Sequence, residues 1–228
     1  MPKPQLIRTL LTSALQLWLR SLVSQVERLE VAIDASDRQL FAGQVPAISL
    51  QAEKAIYRGI HLSHLSLQAT HIRLNLGQVL RGKPIRLLAP VPAQLQAQVS
   101  ATDLNQSLAS DLLSPALAAA TQRLLPNQTL QVQQIALSPG TIHLQGALAR
   151  LAPSPTQPQA EPIQATACLS AQLVAQEAWL QAQQITLSAA GQTKALPDQT
   201  ISLGDAALQQ LDITADAIAL TAQIKILP

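Results

Sequence analysis

An alternating ladder of apolar and polar residues, which runs from Ile48 to Leu76, constrains the fold of this chain more than any other feature. Leucine and isoleucine alternate there with serine, glutamine and histidine, the pattern of a strand that buries one face. Similar ladders recur along most of the chain, and helical spacing interrupts them at two places. The sequence therefore predicts an α+β fold that is dominated by antiparallel sheet.

The apolar residues of this ladder change parity twice. Ile60 and Leu62 share one parity, the apolar residues from 65 to 69 have the other, and those from 72 to 76 return to the first. A shift of one residue moves the side chains of a strand to the opposite face, so each change predicts a bulge or a tight turn. Because bulges bend strands, we expect a long, curved sheet.

Two segments have the three- and four-residue apolar spacing of an amphipathic helix. The first is 5–29, whose apolar stripe we expect to pack on the sheet; alternatively, its Trp18 lies at a membrane interface. The second begins at a capping Thr102 or Asp103, and Pro115 kinks or divides it. The curved sheet is thus predicted to wrap around one or two α-helices.

The order helix, strands, helix, strands predicts a single domain that spans residues 1–228. Its parts are an N-terminal helix (1–30), a first β-meander (31–100), a second helix (101–126) and a second β-meander (127–228) with a proline-rich surface loop (152–162). Within the meanders, residues 40–52 are assigned to a strand with Pro46 at an edge or break, and residues 198–205 to a loop. Ser138-Pro-Gly140 predicts a hairpin turn.

No residues with catalytic or metal-binding spacing accompany the ladders. His61, His64 and His71 are close in sequence, but on a regular strand the first two point to opposite faces, and no cysteine or acidic cluster joins them. The single cysteine, Cys168, has no basic neighbour that would activate its thiol. The sequence therefore predicts a protein that is not an enzyme and that binds no cofactor or metal.

A basic segment that contains Arg81, Lys83 and Arg86 follows the longest ladder, which itself carries Arg73. Residues 1–90 hold 11 Lys/Arg and 5 Asp/Glu, whereas residues 91–228 hold 4 and 8, so positive charge is concentrated in the N-terminal part. The basic cluster has no aromatic residues for base stacking, and it suits a phosphate or sulfate headgroup better than a nucleic acid. With aromatics at 2% of the chain, aliphatic side chains must line any interior groove.

Three segments resemble cyanobacterial members of the LmeA-like phospholipid-binding family: LWLRSLVSQVERLEV at 17–31, HIRLNLGQVLRGKPIRLLAPV at 71–91 and SATDLNQSLASDLL at 100–113. That family includes actinobacterial phospholipid-binding proteins of the cell envelope, implicated in mannan chain elongation. Their fold is similar to that of the tubular lipid-binding (TULIP) superfamily, in which a curved sheet wraps a long helix around an apolar groove. The resemblance implies lipid binding without catalysis and supplies no catalytic residues.

Pattern and resemblance together predict a non-enzymatic, peripheral protein that holds or transfers an anionic phospholipid or other acyl lipid. The groove is predicted to be lined by leucines of the ladder, namely Leu50, Leu62, Leu65, Leu67, Leu74 and Leu76. The headgroup or the membrane surface is predicted to contact Arg73, Arg81, Lys83, Arg86 and Trp18. We expect a chain that is cytoplasmic or peripheral on a membrane, since no signal peptide or transmembrane helix is recognised. Three alternatives remain: the helices fill the groove, the chain is a scaffold module that binds protein partners, or it is a hydrolase that acts on lipids.

Overall fold

Two antiparallel sheets dominate the structure, a computed structural model that describes residues 12–13, 16–17, 19–21, 23–75, 86–126, 128–150, 165–176 and 179–228. The strands are β1 (Arg28–Asp34), β2 (Gln44–Tyr57), β3 (Ile60–Arg73), β4 (Val91–Ser100), β5 (Gln128–Ser138), β6 (Thr141–Arg150), β7 (Ala165–Gln176), β8 (Trp179–Ala189), β9 (Gln192–Ala195), β10 (Gln199–Ser202), β11 (Ala207–Ile213) and β12 (Ala217–Ile226). The helices are α1 (Asp37–Phe41), α2 (Ala101–Gln106) and α3 (Leu113–Leu124), and residues 12–13, 16–17 and 19–21 are also helical. This architecture confirms the predicted α+β class.

The first sheet takes strands from both halves of the chain, in the order β1-β2-β3-β4-β12-β11. The second has the order β10-β8-β7-β6-β5, and β9 also pairs with β8. The sequence-based division placed β11 and β12 in the second meander, but β12 pairs with β4 over its whole length, from Ala217 opposite Ser100 to Ile226 opposite Val91. The C-terminal hairpin therefore returns to the first sheet, where it covers the edge that β4 would otherwise leave open.

The N-terminal helix ends earlier than its apolar spacing predicts, and residues 1–11 lie outside the described part of the chain. Residues 19–21 are helical, but further on the Ser24 N–H donates to the Ile56 carbonyl at 2.8 Å, and β1 begins at Arg28. The prediction that the helix continues to 29 is thus wrong. Pairing with the free edge of β2 satisfies backbone groups that a last helical turn would otherwise have to satisfy.

A single-turn helix, α1, replaces the start of the strand predicted at 40–52. Ser36 caps this helix: its hydroxyl accepts the Gln39 N–H at 3.4 Å, and the Gln39 side-chain oxygen accepts the Ser36 N–H at 2.9 Å. This capping box was available in the sequence as a serine followed three residues later by a glutamine. The turn brings Leu40 into the core at 1% exposure, and it delays the next strand to Gln44.

The second predicted helix is two helices, α2 and α3, separated by the turn of residues 107–112. Pro115 does not cause the break, because it lies in the first turn of α3, where a backbone N–H has no helical acceptor. The capping residue is Ser100 rather than Thr102 or Asp103. Its hydroxyl accepts the Asp103 N–H at 3.0 Å, and the Asp103 carboxylate accepts the Ser100 N–H at 3.4 Å.

Two left-handed residues accompany the parity changes of the first ladder: His71 in β3 has a φ of 57° and Lys54 in β2 has a φ of 47°. By register, Lys54 lies opposite Ser63, where β3 changes parity, and His71 lies opposite Pro46, one residue beyond the end of the pairing with β1. The β2–β3 register does not shift at either pair, so the two strands change parity together, without the extra residue of the predicted bulges. Register shifts occur between β5 and β6, β7 and β8, and β11 and β12.

The loop predicted at 198–205 contains β10, so this prediction is wrong for residues 199–202. The Asp198 carboxylate precedes this strand and accepts the N–H of Gln184, a left-handed residue of β8, at 3.2 Å.

The proline-rich loop predicted at 152–162 lies outside the described residues. Most of the basic segment does too, because residues 76–85 are not described.

Helix α2 joins the two sheets and covers a strand edge on each. Its Asn105 amide donates to the Ile135 carbonyl of β5 at 2.7 Å and accepts the Ile135 N–H at 2.8 Å, as a neighbouring strand would. Just beyond the helix, the Ser107 hydroxyl accepts the His61 N–H of β3 at 2.8 Å. Apolar side chains form two clusters. One lies under the first sheet, and the other is made by α2, α3, the second sheet and residues of β11 and β12.

Candidate functional site

A cavity of about 800 Å³ lies against the inner face of the first sheet, within the first hydrophobic cluster. Its lining is aliphatic apart from a single guanidinium group and contains no aromatic ring. The lining residues are Leu19, Ile33, Ile48, Leu50, Leu67, Ala69, Ile72, Leu74, Arg86, Leu87, Val91, Ile226, Leu227 and Pro228. A space of this size is typical of a ligand pocket, for which about 300–1,000 Å³ is usual, rather than of a packing defect.

Cross-strand pairing aligns the aliphatic side chains of the cavity wall. Ile33 of β1 lies opposite Ile48 of β2, and Ile48 lies opposite Ala69 of β3. In the neighbouring row Leu50 lies opposite Leu67. Opposite residues of an antiparallel pair point to the same face of the sheet, so the alternation of each strand places these rows together on the inner face.

A short ladder between residues 73–75 and 86–88 borders the cavity, and its Leu74, Arg86 and Leu87 belong to the lining. The Leu88 N–H donates to the Arg73 carbonyl at 2.9 Å, and the Arg86 N–H donates to the side-chain oxygen of Asn75 at 2.7 Å. Asn75 is buried, with 7% of its surface exposed, so this contact holds the Arg86 backbone firmly. The ladder therefore fixes both ends of the basic segment and sets Arg86 at the border of the cavity.

The exposure of the lining residues locates the mouth of the cavity. Arg86, Leu227 and Pro228 are exposed, whereas the other lining residues are buried or half-buried. These three residues are near neighbours, because the pairing of Val91 with Ile226 brings the segment after Arg86 beside the end of β12. The cavity thus opens to solvent between the 86–88 segment and residues 226–228, and we call this opening the mouth.

The structure brings together some of the residues that the sequence singled out. Three of the predicted groove leucines, Leu50, Leu67 and Leu74, line the cavity, whereas the half-buried Leu62 and Leu65 are not part of its lining. Of the predicted headgroup residues, Arg86 lies at the mouth and the exposed Arg73 lies on the adjoining ladder. The remaining predicted residues are Leu76, Arg81, Lys83 and Trp18, and they lie outside the described part of the chain.

Most of the cavity wall lies outside the residues predicted from the sequence, because those residues come from a single ladder and the basic segment after it. Leu87 and Val91 flank the prolines that follow the basic segment, and Ile226 ends the last ladder. Gly43 also shapes the wall: a Cβ at this position would lie 2.6 Å from the carbonyl oxygen of Leu74. A glycine just before a strand that starts with alternating residues is the one local signal that could have indicated this close approach.

Asp103 of α2 has a shifted pKa, but it lies away from the cavity, where α2 contacts β3. Burial raises the pKa of Asp103, but hydrogen bonds from the Ser63 hydroxyl and from Ser100 outweigh this effect, so the pKa lies below its ordinary value. The carboxylate is therefore charged and serves as a structural acceptor. On the second sheet, His143 lies between the hydroxyls of Ser138 and Ser170, at 3.0 and 2.7 Å.

The described residues also show whether the chain has a metal site or a membrane-spanning helix. No group of three His, Cys, Asp or Glu side chains within them is arranged to hold a metal ion. Among the helices of those same residues, none has both the length and the apolar character needed to cross a bilayer. The aliphatic cavity with Arg86 at its mouth is the candidate site.

Comparison with known proteins identifies one family. A sequence model of the family described as LmeA-like phospholipid-binding matches residues 4–226, nearly the whole chain. Neither a curated protein nor a solved structure matches the chain significantly. The family match confirms the resemblance read from three segments of the sequence, while the cyanobacterial branch and the likeness to tubular lipid-binding proteins stay predictions.

Proposed function

This chain belongs to the LmeA-like phospholipid-binding family, and we propose that its cavity holds the acyl part of one anionic phospholipid, with the phosphate beside Arg86. The observation that supports this most directly is the composition of the lining, which is aliphatic throughout except for one guanidinium at the mouth. Tails would lie against leucine, isoleucine and valine, and the headgroup would stay at the solvent boundary. The protein would then hold or transfer a lipid without reacting with it.

The size of the cavity suits an acyl ligand. A methylene group takes up about as much space as a water molecule in the liquid, about 30 Å³. A cavity of about 800 Å³ therefore corresponds to about 25 methylenes. Each methylene that leaves water contributes about 0.8 kcal/mol, so burying ten of them contributes about 8 kcal/mol. Water would gain little in the same space, because the lining offers it a single polar side chain.

The preference for an anionic lipid rests on Arg86. A guanidinium presents several donors in a fixed plane and binds phosphate oxygens through paired hydrogen bonds. The ion pairs among the described residues join Arg28 and Lys54 to glutamates, and neither Arg86 nor Arg73 takes part in one. Arg86 therefore has its charge available for a ligand at the mouth.

The same lining argues for binding rather than catalysis. Within the described part of the wall, no side chain carries a hydroxyl, thiol, imidazole or carboxylate, so no side-chain nucleophile or general base is placed to attack an ester of the bound lipid. Arginine stays protonated and cannot abstract a proton at physiological pH. A protein that holds or transfers lipid is what this chemistry supports.

Lipid uptake can be tested with a variant that fills the cavity. Delipidated protein is incubated with phosphatidylglycerol or phosphatidylcholine, and bound lipid is measured by native mass spectrometry. We expect one phosphatidylglycerol per chain in the wild type and a several-fold smaller fraction in Ala69→Phe, because the ring would occupy the space of the tails. Ala32→Phe places the same ring on the exposed face of β1 and should leave uptake unchanged.

The outcome that would sink the proposal is a wild-type protein that takes up neither lipid, or an Ala69→Phe variant that takes up as much as the wild type. If the protein also co-purified with a stoichiometric protein partner in either case, the scaffold hypothesis would gain instead.

A further inference from the structure

The mouth of the cavity combines exposed apolar side chains with unpaired cations. Leu88 and Leu227 are exposed over 62% and 60% of their surface, and they follow directly on Leu87 and Ile226, which line the cavity. Arg73 and Arg86 lie on the same ladder as Leu88, and no carboxylate of the described residues forms an ion pair with either. Exposed leucines beside arginines that form no ion pair with a described residue, at the edge of an apolar cavity, favour a partner that is both apolar and anionic.

We propose that this mouth docks on the surface of an anionic bilayer. The leucines would enter the acyl boundary while the arginines bind lipid phosphates at the level of the headgroups. The inference rests on the proposed function, since it names the surface from which the cavity receives its lipid. A bilayer fits better than a protein groove because the apolar cavity would then open directly into the acyl region of the membrane. A lipid tail could pass from membrane to cavity without contact with water.

The arrangement of the ladder places cationic and apolar groups at the same level. Arg73 lies opposite Leu88 and Asn75 lies opposite Arg86, so the two arginines occupy diagonal positions, which are about 7 to 8 Å apart between Cα atoms in an antiparallel pair. Two phosphates of neighbouring lipids can therefore be bound on either side of one inserted leucine. Side chains of this length keep the charged group in water while the stem lies along the apolar surface.

The test separates docking from lipid uptake. A double variant, Leu88→Asn with Arg73→Gln, alters the rim at two residues that do not line the cavity. Flotation is measured with vesicles of phosphatidylglycerol and phosphatidylcholine in equal parts and with vesicles of phosphatidylcholine alone. Uptake is measured separately, by native mass spectrometry after incubation with detergent-dispersed phosphatidylglycerol.

The wild type should float with the mixed vesicles, and more weakly at high salt because ions screen the arginines. In the double variant the partition coefficient should fall about fiftyfold, from about fivefold for one cation near an anionic surface and about tenfold for one leucine. The single variant Leu88→Asn should lose about tenfold in partition and should take up detergent-dispersed lipid as well as the wild type, because Leu88 does not line the cavity. The separate variant Leu227→Asn should also lose flotation.

Matched controls lie at the other end of β3. Leu112→Asn alters an exposed leucine in the turn before α3, and Arg58→Gln removes an exposed cation from the β2–β3 hairpin turn. Gly59 in that turn approaches Ser110 so closely that a Cβ would lie 2.8 Å from the serine Cβ, which places both controls at the same end. The 14 residues of β3 separate this end from the mouth by about 45 Å at 3.3 Å per residue.

Three results would overturn the inference. The double variant could float as well as the wild type, the controls could lose flotation to the same degree, or the wild type could take up lipid from detergent and yet ignore both kinds of vesicle. The last result would leave the proposed function standing and would favour a soluble donor of lipid. A wild type that takes up no lipid from any source would overturn the proposed function itself, and this inference with it.

Discussion

At the scale of single residues, Arg86 sets the charge preference of the cavity. We expect Arg86→Gln to weaken phosphatidylglycerol binding about tenfold, because a hydrogen bond to a charged group contributes about 1.5–3 kcal/mol. Phosphatidylcholine binding should weaken less, because its choline cation already offsets part of the attraction between its phosphate and Arg86. Competition between the two lipids, read by native mass spectrometry, measures the ratio directly.

Two further variants define what the Arg86 result means. Arg86→Lys keeps the charge but not the planar fork, so it should restore part of the preference. Arg123→Gln removes an exposed cation from the last turn of α3 and should have no effect. An unchanged lipid ratio in Arg86→Gln would show that the phosphate is bound elsewhere.

Asp103 gives the stability of the protein a dependence on acid. Its pKa is below the ordinary value in the folded protein, so the charged carboxylate stabilises the fold at neutral pH. This contribution is fully present above the ordinary pKa, near about 4, and is lost as the pH falls through the lower folded value. Asp103→Asn should therefore unfold more readily than the wild type at pH 7, and the difference should shrink as the pH is lowered below about 4.

Urea unfolding at pH 7 and at pH 3 measures this difference. Ser63→Ala is the partner variant, because it removes the hydroxyl that donates to the Asp103 carboxylate. It should be affected by pH in the same direction and less strongly. A gap between Asp103→Asn and wild type that stays constant from pH 7 to pH 3 would contradict the assignment.

At the scale of secondary-structure elements, α2 stabilises the protein by covering strand edges rather than by its own length. Asn105→Ala would leave the N–H and the carbonyl of Ile135 without their partner. We expect a loss of about 1–3 kcal/mol in the free energy of unfolding, together with faster hydrogen exchange at the Ile135 amide. Gln106→Ala, at an exposed position of the same helix, serves as the control and should cost little. Equal effects of the two variants would argue against edge covering.

The elements also show which signals the sequence carries locally. The hairpin at Pro139–Gly140 and the ladders on each side of it were predicted because turn residues and alternation act over a few positions. Helix α1 was not predicted, because alternation at 40–52 indicates a strand while Ser36 and Gln39 indicate a helix cap. The end of the N-terminal helix was misplaced because the edge of β2, which captures Ser24, is distant in sequence.

At the scale of the whole molecule, the cavity belongs to one cluster only, so lipid should stabilise the two sheets unequally. Phosphatidylglycerol at a hundredfold excess over its Kd should raise the free energy of unfolding by about 2.7 kcal/mol. Hydrogen exchange should slow mainly in β1 to β4 and at the end of β12, whose residues form the wall. Exchange in β6 to β8 should change little, because these strands do not line the cavity.

Hydrogen exchange with and without phosphatidylglycerol, read by mass spectrometry, tests this division. Ala69→Phe provides the control, since a chain that cannot take up the lipid should show no slowing in either sheet. Equal slowing in both sheets of the wild type would mean that the lipid reaches the second cluster as well.

The cavity itself could be predicted only in part, and the reason is its dependence on the whole fold. Leu50, Leu67 and Leu74 come from one continuous ladder and were identified from it. Ile226 and Val91 become wall residues only because β12 pairs with β4, a contact between segments far apart in sequence. Leu65 lies outside the lining of this cavity, because alternation gives the face of a strand but not the extent of the space above that face.

The absence of aromatic and polar side chains from the described wall has a consequence for what the protein would carry. Saturated, unsaturated and branched tails all present much the same surface to leucine and isoleucine, which have no fixed ring planes and no hydrogen-bonding groups with which to tell them apart. Among the described lining residues, discrimination can occur only where the headgroup meets Arg86. The mixture of tails recovered from the protein should therefore mirror the acyl composition of its host membrane, and it should change when growth temperature changes that composition.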